Sequence, residues 1–261
     1  MKNLHFIILV ILMTLPFGQI KAQINDNPVD VLATKLYENE LLSNRFFRNF
    51  VFIKTNTFKN KAMSDMDRSL AKFDDNLSYI ILHLPYDKEV KDDYLKLQNF
   101  WNVYRLNITN YNSENYKRLI SKTQRLEKLI TELNKKILSK HPDYSAHKSL
   151  ISLASLAVEN GKNVDKMATA YILKYGLNVA DAYNYYEFDF SGLKKNLKKI
   201  RKNKLLQGKV NDLVTDLNTT VDSIKTLIEK DKYNPKMMYA YVNAYTKKTF
   251  KLLHVIMQLV K

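Results

Sequence analysis

Arg45 and Arg48 lie one helical turn apart, and Lys166 stands at the matching place of a second, degraded copy of the same segment, 121 residues further on. The first copy runs Leu41-Leu42-Ser43-Asn44-Arg45-Phe46-Phe47-Arg48, and the second runs Val164-Asp165-Lys166-Met167-Ala168. A guanidinium offers fixed N–H forks and an ammonium a point charge. Together they can replace the hydration shell of a small anionic or polar ligand. The same residues also have a structural use, as ion pairs with Glu38, Glu40 or Glu159 on neighbouring turns, or as solvated groups. Both uses stay open at the level of sequence.

Other chemistry finds little footing. His141 and His147 are six residues apart across Pro142, which does not place them on one helix face, and His83 and His254 sit near apolar helix ends. No metal site is expected from them. Asp87, Glu89, Asp92 and Asp93 fall in the first turns of an expected helix, where negative charge suits the dipole without any catalytic role. There is no Gly-x-Ser-x-Gly, no phosphate-cradling glycine loop and no His-Glu-x-x-His. With no cysteine, the chain has no disulfide, thiol catalysis, iron–sulfur cluster or covalently attached c-type haem. The expectation is a protein that is not an enzyme and needs no cofactor.

Residues 1–22 read as a secretory signal peptide. Lys2 is followed by an apolar run from Phe6 to Leu15, then Pro16, Gly18 and a cleavage point at Ala22. The product is expected to be periplasmic or secreted, and soluble after cleavage. The formal charge of +16 falls to +14 when Lys2 and Lys21 go with the leader. Such a charge attracts anions, so peripheral contact with an anionic membrane or polymer is expected, and nucleic acid is not expected for an exported chain. The densest basic run is Lys194 to Lys204, with Leu193, Leu197 and Ile200 as its buried stripe. It reads either as a solvated helix face or as a binding patch.

The elements that must position these residues are all helices. Apolar residues recur at three and four, the few glycines and prolines sit at boundaries, and no alternating strand pattern occurs. In the first half, a long helix runs from Asn27-Pro28 through Ile53, and Thr55 to Met63 forms a polar link. A second helix is expected from a capping box at Ser64-Asp65-Met66-Asp67 to Pro85, with Ile81 and Leu84 inward. Asp87 caps a third, with Val90, Tyr94, Leu97, Trp101 and Leu106 inward, and Ser113 begins a fourth that ends at His141-Pro142. In the second half, one helix spans Ser145 to Tyr175 and closes on a left-handed Gly176. Asn178 caps a helix reaching Lys204. Gly208 precedes the next, and Asn234-Pro235 opens the last. The aromatic cluster of Tyr183, Tyr185, Tyr186, Phe188 and Phe190 is expected in core or bundle–bundle packing. Phe73-Asp74-Asp75-Asn76-Leu77-Ser78-Tyr79-Ile80 matches Leu193-Lys194-Lys195-Asn196-Leu197-Lys198-Lys199-Ile200 at an offset of 120. Long helices with short links pack as antiparallel bundles. The expected fold is all-α, two tandem antiparallel four-helix bundles after a signal peptide, with bundles at 23–142 and 143–261.

These features together resemble the PilJ-like sensory domain, the extracytoplasmic domain of type IV pili methyl-accepting chemotaxis transducers, related to nitrate sensor domains of the NarX type. Leu41, Leu42, Ser43, Asn44, Arg45 and Phe46 lie on the family's Met-Leu-Ser-Gln-Arg-Met. Asp165, Lys166, Met167 and Ala168 lie on Gln-Arg-Met-Ala in the second copy, and Tyr171-Ile172-Leu173 continues it. The Phe73-Asp74 pattern and the Trp101-bearing third helix add to the likeness, which spans residues 29–260 as two copies. It implies a helical bundle that senses a small ligand through basic residues on its first helix. The family's Arg-x-Arg, however, falls on Glu38 and Glu40, and on Glu159 and Gly161, where carboxylates would repel nitrate. Nitrate is therefore not carried over, and Arg45, Arg48 and Lys166 remain as the candidate ligand-binding residues. No signalling segment follows Lys261, so an envelope protein partner is expected to carry any signal. The rival expectation is a structural or adhesive envelope protein that has lost the ligand site.

Overall fold

A 27-residue helix, α1 (Pro28–Lys54), runs through the middle of the chain's computed structural model. The structure describes residues 28–141, 144–186, 188–230 and 232–260. The expected leader and the junction at Pro142 lie outside the described residues. From Leu36 to Ile53, every residue of α1 is buried except the half-buried Arg45. Apolar side chains occur around the whole circumference of α1, and a helix of that kind must be walled in on all sides. Its neighbours are α2 (Lys59–Leu82), α4 (Tyr116–Lys140), α5 (Tyr144–Gly176) and α8 (Pro235–Met257). Helices α3 (Lys88–Ile108), α6 (Phe190–Lys202) and α7 (Asn211–Glu229) complete the set, with short 3-10 turns at Ala182–Tyr185 and Lys204–Leu206. Among the described residues there is no strand, so the fold is all-α. No helix among them is long and apolar enough to cross a membrane.

The contacts are compatible with one four-helix set in each half, but α1 and α5, the first helix of each, also pack directly on one another. One cluster of buried apolar side chains runs from Leu32 to Val260. In the first half it centres on Trp101, whose ring lies 4.2 Å from Phe73 and 5.0 Å from Phe46, centroid to centroid. Gly161 permits the close crossing of α5 with α1 and α8. A Cβ there would come within 2.5 Å of Leu41 Cδ2 and 3.1 Å of Thr249 Cγ2.

The internal repeat extends to hydrogen bonds. Asn39 of α1 donates to the Phe73 carbonyl (3.4 Å) and accepts from Asn76 (3.0 Å). In the second half Asn160 of α5 donates to the Leu193 carbonyl (2.9 Å) and accepts from Asn196 (3.0 Å). The same two-bond clasp thus joins the first and second helices of both halves. Phe73, Leu77 and Ile80 are buried beside one clasp as Leu193, Leu197 and Ile200 are beside the other.

Several expected boundaries move. Helix α2 starts at Lys59 after a left-handed Phe58, so Ser64–Asp67 lie inside it. Asp65 does not cap a backbone N–H there. It is buried and accepts a hydrogen bond from Tyr239 instead (2.7 Å). Helix α4 begins at Tyr116, because Asn115 rather than Ser113 accepts from the Arg118 N–H. On α3 the inward stripe continues from Trp101 through Tyr104 and Ile108, leaving Leu106 exposed. At the end of α2, Ile81 is exposed and Leu84 half-buried. Gly176 does not adopt the left-handed conformation; Asn178 does. Gly176 is needed for space instead, because a Cβ would collide with Tyr233 and Thr55. The expected helix from Asn178 to Lys204 is broken. Its first part is the turn Ala182–Tyr185, and α6 starts where the Asp189 side chain accepts from the Gly192 N–H. The aromatics there pack as expected, with Tyr183 between Tyr175 and Phe188 (6.3 and 4.7 Å).

Candidate functional site

The three candidate cations sit in two different places, and the seam between α1 and α5 takes two of them. Arg48 is fully buried. Its Nη1 donates to Asp165 of α5 at 2.7 Å and to Thr246 of α8 at 3.0 Å, and its Nη2 donates to Asn49 at 3.0 Å. Two turns earlier on α1, the Glu40 carboxylate meets Lys162 of α5 at 2.5 Å and accepts from Thr131 and Asn134 of α4 at 3.0 and 3.1 Å. Glu127 of α4 joins this cluster, 3.3 Å from Lys162 and 2.9 Å from Lys166.

Buried charge is tolerated only when it is paired and hydrogen-bonded, and the seam meets that condition. Burial pulls the Lys162 ammonium down, but Glu40 and Glu127 outweigh it and raise the group overall. Burial pushes the Glu127 carboxyl up, and Lys162 and Lys166 bring it below its ordinary range. Burial pushes the Asp165 carboxyl up against the opposing pull of Arg48 and Arg45. The ion pairs expected along single helices thus give way to pairs between helices. Glu159 is exposed and takes no part.

Glu38 faces the other side of α1. Its carboxylate lies 2.8 Å from His254 of α8 and 2.7 Å from Lys72 of α2, and accepts from Asn76 at 3.2 Å. Burial pushes this carboxyl up, yet the hydrogen bonds from His254 and Lys72 prevail and hold it down at about 2. Glu38 and Glu40 are therefore engaged in structure rather than standing open to repel a ligand.

Arg45 is different. It lines an open cleft of about 320 Å³ between α1, α2 and α8, together with Asp65, Arg68, Ser69, Lys72, Lys247 and the apolar Leu42 and Phe250. Its buried Nε has no hydrogen-bond partner among the described residues. Burial and the nearby Arg48 pull the guanidinium down to about 10, while Asp165 and Asp65 pull the other way. It remains a cation at neutral pH. Arg68 is bonded to Asp65, and Lys72, lying 5.0 Å from the Phe250 ring, reaches back to Glu38. Four cations thus line the cleft against one carboxylate, with Glu38 behind it.

No protein-family model, curated protein or solved structure matches this chain. The PilJ-like resemblance rests on the residues that carry it.

The sequence named Arg45 but not Arg68, Lys72 or Lys247, which line the same cleft. Arg68 and Lys72 are four apart on α2 and share a face, but nothing local marks that face as meeting α1. Among the described residues, no group of three or more His, Asp or Glu side chains is arranged to hold a metal ion.

Proposed function

We propose that this chain is an exported helical protein without catalytic activity that binds a small anion in the Arg45 cleft, on a scaffold of the PilJ-like sensory kind. The observation that carries this reading is a half-buried guanidinium with an unpartnered Nε, among Arg68, Lys72 and Lys247. An unbonded buried donor beside like charges costs stability, and an oxyanion accepting from it removes that cost. Phosphate, sulfate and small dicarboxylates have suitable oxygens, and Phe250 and Leu42 can cover an apolar portion.

The test is thermal unfolding against a panel of these anions at millimolar concentration. A ligand at a hundred times its Kd adds about 2.7 kcal/mol of stability. That gain should vanish in Arg45→Met and survive in Lys166→Ala, because Lys166 belongs to the seam. If no anion stabilises the protein, or if Arg45→Met responds like the parent, the reading is wrong. A structural or adhesive envelope role would then stand. That alternative is favoured by the seam, which commits Arg48 and Lys166 to holding helices together.

A further inference from the structure

The end of the molecule where α6 turns into α7 carries a second concentration of charge, remote in sequence from the Arg45 cleft and independent of it. Between Asp189 and Asp212 the chain has eight lysines and arginines and no acidic residue. Because Leu193, Leu197 and Ile200 are buried, the basic residues take the outer faces of α6. Lys194, Lys198, Arg201, Lys202 and Lys204 converge on one cleft of about 750 Å³ between α6 and α7. Lys194 is paired with Asp222 at 2.5 Å. The other four have no carboxylate partner among the described residues, and Asp216 on α7 is held by Lys248. Unpaired like charges in one cleft repel each other and attract an anionic counterpart.

A second feature decides what that counterpart is. In the turn Lys204–Leu206, Leu206 is buried and anchors the backbone, whereas Leu205 is 55 % exposed among the lysines. A hydrated polyanion would satisfy the cations and leave Leu205 in water. The boundary of a bilayer satisfies both, with phosphates at the cleft and the leucine among acyl chains. We propose that the α6–α7 end docks peripherally on a membrane surface rich in anionic headgroups, with Leu205 as the inserting side chain.

Sedimentation of the purified protein with vesicles tests this, comparing phosphatidylcholine alone with phosphatidylcholine containing phosphatidylglycerol. The leader carries Lys2 and Lys21, so each variant is compared with the parent on the same vesicles, which cancels the leader's contribution. Each basic residue near an anionic surface contributes about fivefold to partitioning. The triple variant Lys198→Glu, Arg201→Glu, Lys202→Glu should therefore lower binding to the anionic vesicles by about a hundredfold or more. Leu205→Ser should lower it by about tenfold. All four positions are exposed, and circular dichroism checks that the variants are folded. In Leu205→Trp, vesicles should shift the new fluorescence to the blue, while the buried Trp101 stays constant. Equal binding to both vesicle types overturns the proposal. So does basic-residue dependence with no effect of Leu205→Ser and no blue shift, which would assign the cleft to a soluble polyanion. Failure here leaves the Arg45 reading untouched, and the reverse also holds.

Discussion

Replacing Arg45 with methionine should make the protein more stable while abolishing its response to anions. The guanidinium is drawn well below its ordinary range, to about 10, by burial and by Arg48. At 1.36 kcal/mol per pH unit, the charged form is disfavoured in the fold by about 3 kcal/mol. Solvent at the mouth of the cleft screens part of this, leaving about 1–2 kcal/mol to be recovered. Methionine keeps the apolar stem that packs beside Leu42 and leaves no donor unbonded. Urea denaturation without added anion reads the gain directly, as a higher midpoint at constant slope. The same titration with anion present should raise the parent and leave the variant unmoved. A variant less stable than the parent without anion would refute the reasoning, because Arg45 would then be a structural partner of Asp65 and Asp165.

Three further outcomes follow from the seam and its surroundings. Arg48→Ala should cost about 3–5 kcal/mol by stranding Asp165 in the core, and Arg48→Met with Asp165→Leu should restore most of it, as a double-mutant cycle in urea would show. Gly161→Ala forces Leu41 and Thr249 away from a crowded crossing and should cost about 1–3 kcal/mol, read as a lowered Tm. Glu38 sits at about 2, below its ordinary 4.5, so its contribution is whole above pH 4.5 and is lost as the pH falls from there toward 2. With its partners partly in solvent this amounts to about 2 kcal/mol, and Glu38→Gln should flatten that part of an acid-unfolding curve.

The helical class and most inward stripes were legible because period and capping are local. Asn234-Pro235 opens α8 and Asp87 caps α3 as their types require. The break before α6 was not legible. Tyr183, Tyr185, Tyr186 and Phe188 tolerate helix, yet they lie before α6, where Tyr183 packs between Tyr175 and Phe188. Nor was the burial of α1 legible. Nothing local shows that the polar Glu38, Asn39, Glu40, Asn44, Arg48 and Asn49 are buried, since Asp165 and Lys162, which neutralise Arg48 and Glu40, lie more than a hundred residues away. The asparagine clasp could have been found, because Asn39 and Asn160 are separated by the same 121 residues as Arg45 and Lys166.

The salt links between α1 and α5 carry an implication for how the polypeptide can be divided. A chain severed between α4 and α5 leaves each piece presenting charges without their ionic partners: Arg48 and Glu40 on one, Asp165 and Lys162 on the other. Opposite signs stand at matching heights, so the pieces are addressed to each other and to nothing else in particular. Co-expressed fragments should therefore reassociate in a single register, and the pair could serve as a split reporter whose assembly is keyed by charge rather than by covalent continuity.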